Sequence, residues 1–361
     1  MIPSSIPEMA SAPHDVRRLR IVIGKDLAGW YRRLVDAFAR CRDEGAMVDV
    51  SVANLDASDW IDSVRDTDVV VWKPAFMGPI AAAQFRSKIF FLEHDLGKLV
   101  VPNVATTWHF ENKIAQHFVF EQHGVPTPRT TASSDYEDAL RRLRAETFPI
   151  VVKEAHGAGS SHVHLVRSVA ESERLVEARF AQHLWLAACA GAKSRVRAVL
   201  ANCHRRWFWH KVLANVRGQE RFPSIYWQRF VPGNDGDLRI AVIGDRYAYW
   251  FRRQNREGDF RASGSGRIRY EGDAPMDAID YCIKLNARLG FDSMAYDLLL
   301  DGARFLICEM SFGYLDTAPY NAEGYFERRE GVYEFVQGHY WPEELWARWT
   351  LERARRAHVI R

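Results

Sequence analysis

The stretch from Trp250 to Gly266 sets Arg252, Arg253, Arg256 and Arg261 against only Glu257 and Asp259, then ends in small residues and glycines that build no core. Such a segment suits holding a polyanion against an exposed backbone turn. Downstream, Asp297 and Glu309 lie in the apolar runs Ala295–Leu300 and Phe305–Met310, where a bare carboxylate is costly. Magnesium takes oxygen ligands, usually one or two carboxylates together with substrate phosphates, and Ser311 offers a hydroxyl beside Glu309. Arginines for phosphate oxygens and two strand-borne carboxylates for a divalent cation describe a nucleoside triphosphate site. Taken separately, each acid also reads as a cap on a strand end.

Three further pieces fit that chemistry. Lys153 closes the apolar run Phe148–Lys153, and the loop after it holds Gly157, Gly159, Ser160 and Ser161. Open backbone N–H groups and hydroxyls of that kind suit phosphate oxygens, although the loop lacks the terminal Lys-Ser/Thr of a P-loop and reads equally as a hairpin turn. Asn112-Lys113 opens a helical stretch, and a lysine in a first turn opposes the helix dipole. It belongs there if it reaches an anion; otherwise it is a solvated surface lysine. Tyr226–Gly233, with Gln228, Phe230 and Val231, reads as a short strand ending in Pro-Gly, the shape of a hinge with apolar walls for adenine and an acid nearby for ribose. Asp237-Leu238-Arg239 beyond it is equally an edge-strand ion pair.

These residues need strands to hold them. Leu19–Gly24, Val48–Val52, Val69–Trp72 and Ile89–Leu92 are short apolar runs alternating with helical segments, the pattern of a parallel α/β layer. A helix is expected over Phe110–His123, stopped by Gly124. Phe148–Lys153 and His162–Val166 form a strand pair, and a Trp-rich helix runs from Pro342 to His358. The expected division is a flexible tail over 1–18, an α/β domain over 19–105, a central lobe over 106–224 and a C-terminal lobe with the metal site over 225–361.

At 361 residues, 47% hydrophobic and 26% charged, the chain has material for two or three domains, and its net charge of +3 is no mark of a nucleic-acid binder. The charge is uneven: between Trp185 and Phe222, eight Lys/Arg face the single acid Glu220. There His204, Trp207, Trp209 and His210 interleave with cations, which is read as an amphipathic helical insertion whose basic side faces a ligand or solvent. Cys41, Cys189, Cys203, Cys282 and Cys308 are far apart and form no CxxC pair, which argues against a zinc site or disulfide framework and for a reducing compartment. No signal peptide and no membrane-spanning run is read, so a cytoplasmic protein is expected. Trp341, Trp346 and Trp349 suit either a homodimer contact or a helix closing a core. Gly24 lacks the spacing of a dinucleotide fingerprint, and no serine lies in a nucleophile elbow.

In this order, from Asn112-Lys113 through Gly124–Pro128, Pro149–Lys153, the Gly/Ser loop, Gln228–Val231, Asp237–Arg239, Gly258–Arg261 and Asp297 to Glu309, the chain resembles the ATP-grasp superfamily. That superfamily includes D-alanine–D-alanine ligase, glutathione synthetase and biotin carboxylase, and the likeness covers about residues 107–315. Arg253–Gly266, Glu309–Gly313 and Gly324–Phe326 resemble, more narrowly, a branch associated with bacterial surface-polysaccharide gene clusters. The resemblance implies an α/β (α+β) ATP-grasp fold, in which an N-terminal parallel α/β domain precedes two lobes clasping ATP. It implies Lys113 and Lys153 on ATP phosphates under a flap over Gly157–Ser161, Gln228–Val231 around adenine, Asp237 on ribose, and Asn255 and Ser263 within the nucleotide site. Arg253 and Arg261 would meet the γ-phosphate or an acyl phosphate, with Asp297, Glu309 and Ser311 holding one or two Mg²⁺ ions. The implied activity is a ligase joining a carboxylate to an amine, and the basic segment 185–222 suits selection of an anionic substrate such as a nucleotide- or lipid-linked sugar. A kinase that stops at phosphoryl transfer and an ATP-binding module without turnover are the alternatives. Two positions depart from the family pattern: Ser311 replaces the usual asparagine, and Arg229 stands where the hinge usually offers an acid.

Overall fold

A computed structural model describes residues 18–74, 78–156, 163–190, 195–216 and 224–357, which fall into two compact units. The first is assembled from residues 1–75, 88–104 and 341–361. Its sheet holds β1 (Leu19–Gly24), β2 (Val48–Ala53), β3 (Val69–Val71) and β4 (Leu99–Val101), all parallel in the order β2-β1-β3-β4. The valine-rich β3 and β4 are largely buried, as befits parallel strands covered on both faces, whereas the edge strand β2 alternates valine with exposed polar residues. Helix Trp30–Asp43 buries Trp30, Leu34, Ala37, Phe38 and Cys41, and packs against helix Pro342–Arg356.

That last helix corrects the expected domain limits, since it completes the first unit and not the C-terminal lobe. The reason is chemical. Lys73 and Glu343 are both buried and lie 2.8 Å apart, with the Lys73 ammonium 4.6 Å from the Trp30 ring centroid. Trp346 and Trp349 are buried within the chain, which makes this a core helix. The expected strand at Ile89–Leu92 is also corrected. Helix Pro79–Phe90 runs through it into a π-helical turn, Phe91–Asp95, and Ala82, Phe85, Ile89 and Leu92 are buried at helical spacing.

The second unit spans residues 76–87 and 105–340 and contains two antiparallel sheets. The smaller comprises β5 (Thr130–Ser133), β6 (Ile150–Lys153), β7 (Val163–Val166) and β8 (Ile225–Arg229) in the order β5-β8-β6-β7. Strand β8 hydrogen-bonds to both β5 and β6, so the boundary between lobes falls after Arg229 and not at residue 225. Ala139, Leu143, Ile150, Val152, Val176, Phe180 and Trp227 form the core beneath it. The described part of the basic segment folds into the end of helix Val169–Ala190 and helices Arg195–Asn202 and Arg206–Val216, seated by Trp207 and Phe208 on Ala181. Arg206 is paired with Glu177 and Lys211 is buried, so part of that segment's positive charge is spent on packing.

The larger sheet comprises β9 (Gly236–Ile243), β10 (Tyr247–Gln254), β11 (Ile268–Arg269), β12 (Ser293–Asp301), β13 (Arg304–Ser311), β14 (Gly324–Arg329) and β15 (Val332–Gln337). Its order is β13-β12-β9-β10-β14-β15, with β11 beside β10. Helix Met276–Leu289 packs on β9, β10 and β12, and buried Asn286 donates to the Gly244 and Phe291 carbonyls while accepting from Tyr296. No helix of the described residues is long and apolar enough to cross a membrane.

Candidate active site

One face of the larger sheet carries the charge. Residues directly opposite in antiparallel strands share a face, and alternate residues along a strand return to it. Glu309, Asp297, Arg239 and Phe251 are successive cross-strand partners through β13, β12, β9 and β10. Asp237 and Arg253, two residues further along β9 and β10, are partners on the same face. The register slips between Asp297 and Leu298, a bulge beside the site.

The charges interlock. Arg239 holds both oxygens of Asp297, at 2.7 and 2.8 Å. Arg253 holds both oxygens of Asp237, at 2.7 and 2.6 Å, and reaches Asp297 at 2.7 Å. Burial disfavours charge on Asp297, but the two guanidinium groups outweigh it and hold its pKa well below the usual carboxylate range. Burial and the neighbouring Asp297 raise that of Asp237. Burial would lower the pKa of Arg253, yet the two acids carry it above the ordinary arginine value. The ion pair expected within Asp237-Leu238-Arg239 is therefore not formed; the two residues pair across the sheet instead.

Two lysines reach this face from elsewhere in the unit. Asn112 caps helix Lys113–Gln122 by accepting from the Ala115 N–H, and the Lys113 N–H donates to the Ala155 carbonyl just beyond β6. The helix start is thereby tied to the strand bearing Lys153. Lys113 Nζ lies 3.2 Å from Glu309 Oε1, and Lys153 Nζ donates to the Cys308 carbonyl at 3.3 Å. Both lysines are buried, so the helix-start lysine is no solvated surface group. Burial pushes the Cys308 thiol up to about 12, which leaves it protonated and a poor nucleophile.

Two cavities that share lining residues lie over these residues. A cleft of about 110 Å³ is lined by Pro128, Val151, Phe230, Val231 and Leu299 on its apolar side and by Lys153, Asp237, Arg253, Asp297 and Glu309 on its charged side. Gln228, Asn255, Arg261 and Ser263 also border it. A larger cavity of about 400 Å³ shares Arg253, Asp297 and Glu309 and adds Lys113, Arg239, Phe251, Ser311, Tyr314 and the Gly264–Gly266 turn. Flat apolar walls beside cations and carboxylates suit a base at one end and a polyphosphate at the other.

The remaining expected residues are placed as follows. Gln228 is buried and donates to Thr130 Oγ1 at 3.1 Å. Asn255 donates to the Asn234 carbonyl, and Arg256 to that of Ser263. Arg261 grips Asp259 through Nε and Nη2 rather than joining the central cluster. The Ser311 hydroxyl accepts from the Gly313 N–H at 3.2 Å. Gly157, Gly159, Ser160 and Ser161 lie outside the described residues. The sequence reading gave no site role to Arg239, which binds Asp297, or to Asn234, which staples the hinge turn to both backbone groups of Leu300. The alternation Asp-x-Arg, which places both side chains on one face, was the available signal for Arg239. Among the described residues no group of three or more His, Cys, Asp or Glu could hold a metal ion. Asp297 and Glu309 with the Ser311 hydroxyl suit an ion completed by ligands that are not protein.

No family model matches this sequence. It is 22% identical to the alpha-aminoadipate–LysW ligase LysX of Saccharolobus solfataricus over 61% of this chain and 68% of that protein. Its fold is similar to that of a RimK-domain ATP-grasp protein from Sphaerobacter thermophilus, with TM-score 0.53 and 17% identity over 83% of this chain and 93% of the other. It is also similar to the D-cycloserine synthetase DcsG, with TM-score 0.55 and 16% identity over 92% and 99%. The chain has the ATP-grasp fold.

Proposed function

We propose that this protein is an ATP-dependent ligase that joins a carboxylate to an amine through an acyl phosphate. The observation that supports it above all is the convergence of Lys113, Lys153, Arg239, Arg253, Asp297 and Glu309 on two cavities that share lining residues, one of them with an apolar wall. The adenine ring of ATP fits between Val151, Phe230, Val231 and Leu299, within reach of the backbone after β8. Lys153 and Lys113 would meet phosphate oxygens where they now meet the Cys308 carbonyl and Glu309. Bound at Asp297 and Glu309, Mg²⁺ would offset charge on the transferring phosphoryl group.

In the first half-reaction a substrate carboxylate oxygen attacks the γ-phosphorus, and the bond to the β-phosphate oxygen breaks with its electron pair leaving on ADP. In the second, the amine nitrogen attacks the acyl carbon, phosphate departs with the carbon–oxygen bond pair, and the amine loses a proton. The chain's share is positioning and electrostatics. Arg253 is already oriented by Asp237 and Asp297, so little reorganisation is needed as charge develops nearby. The turn Ala262–Gly266 borders the larger cavity, which is the space for the acceptor. An amino acid or a sugar-linked precursor of a surface polysaccharide is the substrate class we favour.

Hydroxylamine trapping tests the reading. With ATP, Mg²⁺ and a panel of carboxylates, hydroxamate should form together with ADP, and Lys153→Ala should remove both products. ADP release with a stable phosphoester and no hydroxamate would make the protein a kinase instead.

A further inference from the structure

The arginine-rich hairpin has a second face. In the β10–β11 ribbon Arg253 and Ile268 are partners, and both line the larger cavity. Their neighbours must project the other way. Arg252 pairs with Arg269 there, and the Gln254 N–H donates to the Arg267 carbonyl at 2.8 Å, which makes Gln254 and Arg267 the adjoining pair. Three arginines and one glutamine thus form a square on the face opposite the cavity, and all three arginines are exposed.

That arrangement is unfavourable unless it serves a ligand, because like charges directly opposite across a sheet destabilise it. Among the described residues no carboxylate pairs with Arg252, Arg267 or Arg269. Neutral groups orient Arg267 and Arg269 instead. With its amide turned so that both ends are satisfied, Gln254 Oε1 accepts from Arg269 Nε at 3.1 Å and Nη2 at 2.9 Å. The Asn255 carbonyl accepts from Arg267 Nη1 at 3.5 Å, and Ser265 Oγ from the Arg267 N–H at 3.1 Å. Their charges are left uncompensated. Cross-strand spacing of about 5 Å and alternate-residue spacing of about 7 Å give a footprint for two linked phosphate groups rather than one. Guanidinium forks match such oxyanions in geometry as well as charge.

We propose that the Arg252–Gln254–Arg267–Arg269 square is a second anion site, separate from the central cavities, that binds a diphosphate group. Free pyrophosphate and the diphosphate of a nucleoside-diphosphate sugar share that chemistry. The site does not depend on what the central cavities bind.

Calorimetric titration with inorganic pyrophosphate in EDTA tests it, using the wild type, Arg252→Gln/Arg269→Gln and Lys113→Ala/Lys153→Ala. A pyrophosphate site kept by the lysine variant and weakened more than about tenfold by the arginine variant supports the proposal. Loss of all binding in the lysine variant, if it melts as the wild type does, or an unchanged site count and affinity in the arginine variant, would overturn it. Should the lysine variant fail to fold, the comparison of wild type with arginine variant decides alone. Repeating the titration with UDP-glucose identifies the source, since the tighter of the two ligands is the one the site is shaped for.

Discussion

Both oxygens of Asp297 accept from guanidinium groups while the same carboxylate faces the proposed cation, so one substitution there disturbs two things. Asp297→Asn should abolish ADP formation and also lower stability by about 3 kcal/mol, because Arg239 and Arg253 lose their compensating charge in a buried place. Glu309 is a cleaner probe, being one-third exposed with Lys113 as its partner. Glu309→Gln should lower the melting temperature less than Asp297→Asn does and raise the Mg²⁺ concentration needed for half-maximal turnover. An unchanged Mg²⁺ dependence would remove Glu309 from the metal assignment. His109 gives a pH signature of its own, since burial lowers its pKa from 6.5 to about 3. Between those values the unfolded chain binds the extra proton, so stability should rise with pH across the window and fall on acidification by up to roughly 1.4 kcal/mol per unit. His109→Phe should flatten that slope in denaturant titrations at pH 5, 6 and 7.

Among the elements, the β9–β10 ladder has the least room for change. A Cβ on Gly236 would lie 2.0 Å from the Arg253 carbonyl oxygen, a contact with backbone that no rotamer relieves. Gly236→Ala should therefore cost roughly 2–4 kcal/mol in thermal unfolding. It should also weaken nucleotide binding, by displacing Asp237 from Arg253. Local pattern made much of this legible: β6 and β7 follow from apolar runs around a Gly/Ser loop, and helix Lys113–Gln122 from its apolar spacing and the stop at Gly124. Pairings that depend on sheet register were not legible. Arg239 finds Asp297 58 residues away, and nothing local distinguishes that partner from Asp237 two residues before it. Ile89–Leu92 misled for a related reason, because a short apolar run suits strand and helix alike until its neighbours show the period. Arg261 was legible as a cation, but its capture by Asp259 is a turn geometry that composition does not announce.

At the scale of the whole molecule, the first unit is built from stretches at both ends of the chain, with the second unit's 236-residue run, 105–340, lying between them. Its core depends on Lys73 and Glu343 meeting, and a buried pair deprived of one partner is destabilising by about 3–5 kcal/mol. A chain stopped after Tyr340 should still bind nucleotide by calorimetry, while limited proteolysis cuts residues 19–74 and 88–104 that the full-length protein protects. Protection of that region in the shortened chain would show that helix Pro342–Arg356 is dispensable. The same layout sets a sequence in time. In synthesis Lys73 is made long before Glu343, so its ammonium waits without that carboxylate until helix Pro342–Arg356 is complete. The second unit, contiguous but for residues 76–87, is all made before that helix and can finish folding ahead of the first.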